Sequence, residues 1–226
     1  MVNIKAVRKD VDECAAACSH DVVLMAVSKT HPYEDILEAY DQGQRLFGEN
    51  RVQEIEAKFP PLCERPQGMK LCLIGHLQRN KAKKALSLVD RIDSVDSIPL
   101  MDELEKHLAG ADRVMDILFE VNSSGEEQKS GFADEDELMK GVSHLADCPH
   151  LRLCGLMTVG PLGFDEEKNR KAFRYVRRLY DKLNAAGYHL AVLSMGMSAD
   201  YRQAIEEGSN EVRIGSAIFG ARNYDA

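Results

Sequence analysis

Eight short apolar runs, separated by amphipathic stretches, leave few folds open to this sequence. The runs cover residues 22–28, 46–47, 71–75, 91–95, 114–121, 153–157, 190–194 and 212–214. Several are continuously apolar, as parallel strands buried on both faces are. The opening stretch places Ile4, Val7, Val11, Cys14 and Cys18 at three- and four-residue steps, one face of a helix. Pro32, in the first turn, introduces a helix over 33–40, and a helix over 49–59 stops at Pro60-Pro61. Ser97-Ile98-Pro99 opens another that runs to His107 and closes near Gly110. Asp165 caps a long helix through Asn184, with Glu166 and Glu167 at its positive end and Gly187 beyond its last turn.

Eight alternations without a composition break predict an α/β chain: a single (β/α)8 TIM-type barrel with an extra N-terminal helix, one domain over residues 1–226. An open doubly wound sheet is the alternative. Such sheets have fewer strands and a glycine-rich fingerprint after the first, whereas the first run here exits as Ser28-Lys29-Thr30-His31-Pro32.

A hydrophobic fraction of 44% is sufficient for a sizeable core, and a net charge of −8 argues against nucleic acid or an anionic membrane as partner. The first twenty residues have no apolar core of signal-peptide length, and no run approaches a membrane span. The expectation is a cytoplasmic protein. Its six cysteines show no CxxC pair and no zinc spacing, which reads as reduced thiols and no metal site.

In a barrel of this kind, chemistry collects where the strands end at their C-terminal side. The first strand ends in Lys29, the second runs into Gly48-Glu49-Asn50-Arg51 and the third into Gly75-His76-Leu77-Gln78. The seventh exits as Ser194-Met195-Gly196-Met197-Ser198, with Ser198 placed as the N-cap of the next helix, and the eighth as Arg213-Ile214-Gly215-Ser216. Either of these last two exits alone reads as a helix cap. Together, after strands 7 and 8, they favour a phosphate cradle built from helix N-termini. Lys29 is either a solvated lysine at a strand end or a partly desolvated amine. Desolvation would lower its pKa and give the neutral nucleophile that Schiff-base chemistry needs. A phosphate site beside such an amine suits a phosphorylated aldehyde. Arg170, Arg174, Arg177 and Arg178 form a basic stripe that reads as a solvated helix face, with anion or partner binding as the alternative.

The segments Ala26-Val27-Ser28-Lys29-Thr30, Phe47-Gly48-Glu49-Asn50-Arg51, Ile74-Gly75-His76-Leu77-Gln78-Arg79-Asn80-Lys81, Gly155-Leu156-Met157, Ser194-Met195-Gly196-Met197-Ser198 and Arg213-Ile214-Gly215-Ser216-Ala217-Ile218-Phe219-Gly220 closely resemble the pyridoxal phosphate homeostasis protein family. The resemblance runs nearly end to end and in order. It implies a barrel similar to the N-terminal domain of alanine racemase, the fold-type III group of pyridoxal 5′-phosphate (PLP) proteins. It also implies that Lys29 carries PLP as a Schiff base, and that Ser194, Ser198, Gly215 and Ser216 hold its phosphate. Arg213 would face the pyridine nitrogen and Asn50 would lie near the ring.

A guanidinium facing that nitrogen would not keep the pyridinium protonated as a carboxylate does, so carbanion stabilisation should be weak. Two readings follow. In the first, a non-catalytic protein buffers PLP or delivers it to PLP-dependent apoenzymes. In the second, an amino-acid racemase of restricted activity uses Lys29 with His76 or Tyr201 as the second acid–base group. The sequence stops at Ala226 without the β domain that supplies a tyrosine in the racemases, which favours the first reading and a monomer. A PLP-free Schiff-base aldolase is a third possibility.

Overall fold

The apolar runs form eight parallel strands: β1 (Val23–Val27), β2 (Leu46–Glu49), β3 (Lys70–Leu73), β4 (Arg91–Val95), β5 (Met115–Glu120), β6 (Leu151–Met157), β7 (Val192–Met197) and β8 (Glu211–Ile214). Each pairs with the next, and β8 returns to β1 with Met25 opposite Arg213 and Ala26 opposite Ile214, which closes the barrel. The structure is a computed structural model, and it describes residues 2–220 apart from 112, 127, 162 and 164. The remainder of the expected 1–226 domain lies outside the described residues.

The helices are α1 (Ile4–Cys18), α2 (Tyr33–Asp41), α3 (Val52–Lys58), α4 (Ala82–Leu86), α5 (Ile98–Leu108), α6 (Glu135–His144), α7 (Glu166–Ala185), α8 (Tyr201–Glu206) and α9 (Ser216–Phe219). The extra N-terminal helix expected from periodicity is α1, which buries Ile4, Val7, Val11 and Ala15 while Cys14 and Cys18 stay at the edge of its contact. It packs beside the end of the barrel: Asn3 N–H donates to the Ile218 carbonyl at 2.8 Å. Asp10 accepts from the Tyr201 hydroxyl and pairs with Arg202.

Three boundaries differ from the sequence reading. The helix expected from residue 49 starts at Val52, because Glu49 is the last residue of β2, opposite Leu73, and its carbonyl accepts from Ile74 N–H at 2.8 Å. Strand β7 continues past Ser194 to Met197, so Ser198 is not a helix N-cap. Asp200 precedes α8, and its carboxylate accepts from Met197 N–H at 2.6 Å. Pro32 stands at the N-cap of α2 rather than inside its first turn. Asp165 caps α7 as expected, accepting from Lys168 N–H at 3.1 Å.

Barrel interiors are ordinarily filled with branched apolar side chains. Near the N-terminal ends of β4 and β8 this one holds an ion cluster instead. Arg91 Nε meets Asp93 at 2.6 Å, and its Nη2 meets Asp93 at 2.8 Å and the two Glu211 oxygens at 2.7 and 2.8 Å. The basic stripe is structural in place: Arg170 pairs with Glu166, Glu206 and Glu207, and Arg174 with Glu207, which ties α7 to α8. No helix among the described residues is long and apolar enough to cross a membrane.

Candidate functional site

At the C-terminal mouth, a cavity of about 240 Å³ opens over the β1–β8 seam. Lys29, Asn50, Ser198, Arg213, Gly215 and Ser216 all line it. Strand alternation explains part of this convergence. Val27 on β1 and Arg213 on β8 face the interior, and Lys29 and Gly215, two residues further along each chain exit, line the same cavity.

The chain turns sharply after β1. Thr30 sits in the left-handed region at φ 65°, and His31 N–H closes the turn on the Ser28 carbonyl at 3.1 Å. The exit of β8 crosses close to β1, since a Cβ on Gly215 would stand 2.9 Å from the Val27 carbonyl oxygen. That close approach brings Ser216, the first residue of α9, to the cavity beside Lys29. A Cβ on Gly75 would stand 2.3 Å from the Asn50 carbonyl oxygen, so the β3 exit rests directly on Asn50. The Asn50 side-chain oxygen is buried with no hydrogen-bond partner among the described residues. A buried, unpaired amide oxygen is unfavourable unless a ligand satisfies it.

Arg213 is 4% exposed. Nη1 donates to the Ser194 carbonyl at 2.7 Å and to the Ser194 hydroxyl at 2.8 Å, and Nη2 donates to the Thr158 carbonyl at 2.6 Å. Burial pulls its pKa below the ordinary arginine value, opposed by Glu211, Asp93, Asp200 and Glu120. A guanidinium nonetheless stays charged in a protein, so the cavity has a fixed cation in its wall. Ser194 itself is fully buried and does not line the cavity. Its hydroxyl accepts from Arg213, a contact the sequence reading did not assign to it.

Neither side chain named as a second acid–base group is here. His76 meets Asp96 at 3.0 Å and lines an adjoining recess with Asn50 and Arg51. The Tyr201 hydroxyl is committed to Asp10 on α1. The histidine that does line the cavity is His31, stacked 5.1 Å from the Phe219 ring and 3.3 Å from Asp35. The remaining wall comes from Val27, Ile74, Val159, Met197, Ala199 and Gly220, which the sequence reading did not single out. Val27, Ile74, Met197 and Gly220 fall within the family-like segments, and Val27 is marked by strand alternation as well; Val159 and Ala199 have no signal of their own. A larger groove of about 1020 Å³ lies off the mouth, between the loop after β5 and α7, lined by Ser123, Ser124, Lys168, Lys171, Arg174 and Arg178 among others. It contains none of Lys29, Asn50, Ser198, Arg213, Gly215 and Ser216.

The family model described as the alanine racemase N-terminal domain matches residues 2–223. The alanine racemase of Clostridium difficile shares the fold at a TM-score of 0.77, with 15% identity over 99% of this chain and 59% of that one. The chain belongs to the pyridoxal phosphate homeostasis protein family. It is 37% identical to the pyridoxal phosphate homeostasis protein of Homo sapiens, over 98% of this chain and 86% of that protein. It superposes on PipY of Synechococcus elongatus, a structure with PLP bound, at a TM-score of 0.80 and 35% identity, covering 93% of this chain and 100% of that one.

Proposed function

We propose that this chain binds pyridoxal 5′-phosphate at the barrel mouth, anchored covalently by Lys29, and holds or hands on the cofactor without turning over a substrate. The observation that carries this reading is the convergence of Lys29, Asn50, Ser198, Arg213, Gly215 and Ser216 on one cavity. The residues fit the group. An amine stands at the mouth, an unsatisfied amide oxygen looks for a donor, and α9 starts at Ser216, where first-turn N–H groups suit a phosphate. When bound, the cofactor supplies an aldehyde that condenses with amines and a ring that withdraws electrons. Lys29 would provide the amine, Ser198, Gly215 and Ser216 the phosphate contacts, and Arg213 a permanent cation toward the ring. Ser194 serves by fixing Arg213.

A role in cofactor homeostasis is supported by the names and ligand of the relatives and by the composition of the cavity wall. Apart from Lys29 and Arg213, His31 is the proton-carrying side chain on it among the described residues. The reading extends to a cytoplasmic monomer whose partners are PLP and the PLP-dependent apoenzymes that receive it. The test is the visible spectrum of the purified protein with added PLP, before and after borohydride, beside Lys29→Ala. A yellow band that reduction fixes to Lys29, absent in the variant, supports the reading. A protein that stays colourless with PLP sinks it. Rapid exchange of Cα-deuterium from amino acids would replace the carrier by a racemase.

A further inference from the structure

Lys29 is held from behind. Glu49, at the end of β2, is fully buried, and Lys58, in the last turn of α3, keeps only 9% of its side chain exposed. Their charged groups meet at 2.5 Å, and Lys58 Nζ also reaches Glu54 at 3.0 Å. This ion cluster is closed onto the backbone on both sides of Lys29. Lys58 Nζ donates to the Ser28 carbonyl at 2.8 Å, while the Thr30 N–H donates to Glu54 at 2.5 Å. The Ser28 hydroxyl donates to the same Glu49 oxygen at 2.7 Å. The peptide groups before and after the lysine are therefore pinned to one buried ammonium and its two carboxylates. Thr30 needs such a restraint, because a β-branched residue at φ 65° is in an unfavourable backbone region.

We infer that Lys58, Glu49 and Glu54 form a clamp that fixes the turn at residues 28–30 and so sets where the Lys29 amine stands in the cavity. These are positioning residues; none of the three lines the cavity. A buried ammonium with three oxygen acceptors would be a poor way to gain stability alone, since apolar replacements of buried ion pairs often do as well. What the cluster gives the fold is a defined geometry for one turn. The consequence for chemistry is specific. Displacing an amine by about 1 Å from its working position can slow a reaction by about a hundredfold, whereas phosphate contacts from β7 and β8 do not depend on this turn.

The inference rests on the proposed PLP reading only for its kinetic arm. The variants are Lys58→Met, which keeps the volume and removes the charge, and Glu54→Ala, where the side chain is 26% exposed. Two measurements are made on the full chain: amide hydrogen exchange over residues 28–31 without ligand, and the rate of appearance of the borohydride-reducible band on mixing with PLP. The expected result is faster exchange at Thr30 and capture at least tenfold slower in both variants, with Lys58→Arg restoring part of each. Total PLP retained on rapid filtration should change less than threefold. Folded variants with wild-type exchange at Thr30 and a wild-type capture rate overturn the clamp. If the wild type forms no band, the cofactor reading fails and the exchange comparison alone decides the clamp.

Discussion

Ser194 grips Arg213 twice, with its carbonyl 2.7 Å and its hydroxyl 2.8 Å from the same guanidinium nitrogen. A residue two positions into β7 thus orients a cation on β8 from below, and the Thr158 carbonyl holds the other nitrogen. This separates two kinds of serine at the mouth. Ser194→Ala removes one charge-assisted hydrogen bond and should lower stability by about 1.5–3 kcal/mol, read as a shift in urea midpoint. Ser198→Ala and Ser216→Ala should leave the midpoint within about 0.5 kcal/mol and weaken PLP retention instead. The opposite pattern would return Ser194 to the phosphate.

Arg213→Met takes away the buried cation and strands its acceptors, so a loss of about 3–5 kcal/mol is expected. Arg213→Lys keeps the charge but lacks the planar fork that reaches Ser194 and Thr158 together. It should fold, with stability between wild type and Arg213→Met, and should shift the pH dependence of the visible band. Thermal melts and spectral titrations of the pair check both statements.

Arg91, at the other end of the barrel, neutralises Asp93 and Glu211. Arg91→Met leaves two buried carboxylates facing each other and should destabilise by about 3–5 kcal/mol at neutral pH. Because none of its three members lines the cavity, PLP capture by whatever fraction is folded should keep its rate. Capture slowed in the folded fraction would show that the two ends are coupled.

Glu120 supplies a pH test. Burial pushes its carboxyl above the ordinary 4.5, against a hydrogen bond from Ser130, and one carboxylate oxygen has no partner among the described residues. With the folded pKa raised, the native state binds the proton more tightly than the unfolded chain. The stabilising contribution is full below 4.5 and is lost as pH rises through the raised value. Glu120→Gln, which stays uncharged, should therefore melt higher than wild type at pH 7, with the advantage shrinking toward pH 4.5. Parallel melts across that range that never converge would contradict this account.

The barrel was legible because strands buried on both faces favour continuously apolar runs, which several of the eight show, and because all eight alternate with amphipathic stretches. Lys29, Asn50, Arg213, Gly215 and Ser216 were legible for a related reason: strand ends in a closed parallel barrel converge on one mouth. The contact of Ser194 with Arg213 was not legible, because a hydroxyl near a strand exit looks the same whether it faces the cavity or a neighbouring arginine, and the bulge that carries β7 on to Met197 leaves no mark in composition. Glu49 misled differently. Glutamate favours helix on propensity, and its place as a buried strand residue depends on Lys58, nine positions away on α3. The clamp around Lys29 was invisible for the same reason, since its two halves meet only after β2 and α3 have packed.

The seam between β1 and β8 has a consequence for biosynthesis. Lys29 leaves the ribosome well before Arg213, Gly215 and Ser216, and α1 can dock on Ile218 only after those have emerged. A nascent chain offers an amine without a pocket, and the aldehyde's proper seat exists only once the ring of strands has shut. Occupancy by the cofactor is in that sense a certificate of completed folding, and chains stalled or truncated before β8 should be passed over by the ligand that the finished barrel retains.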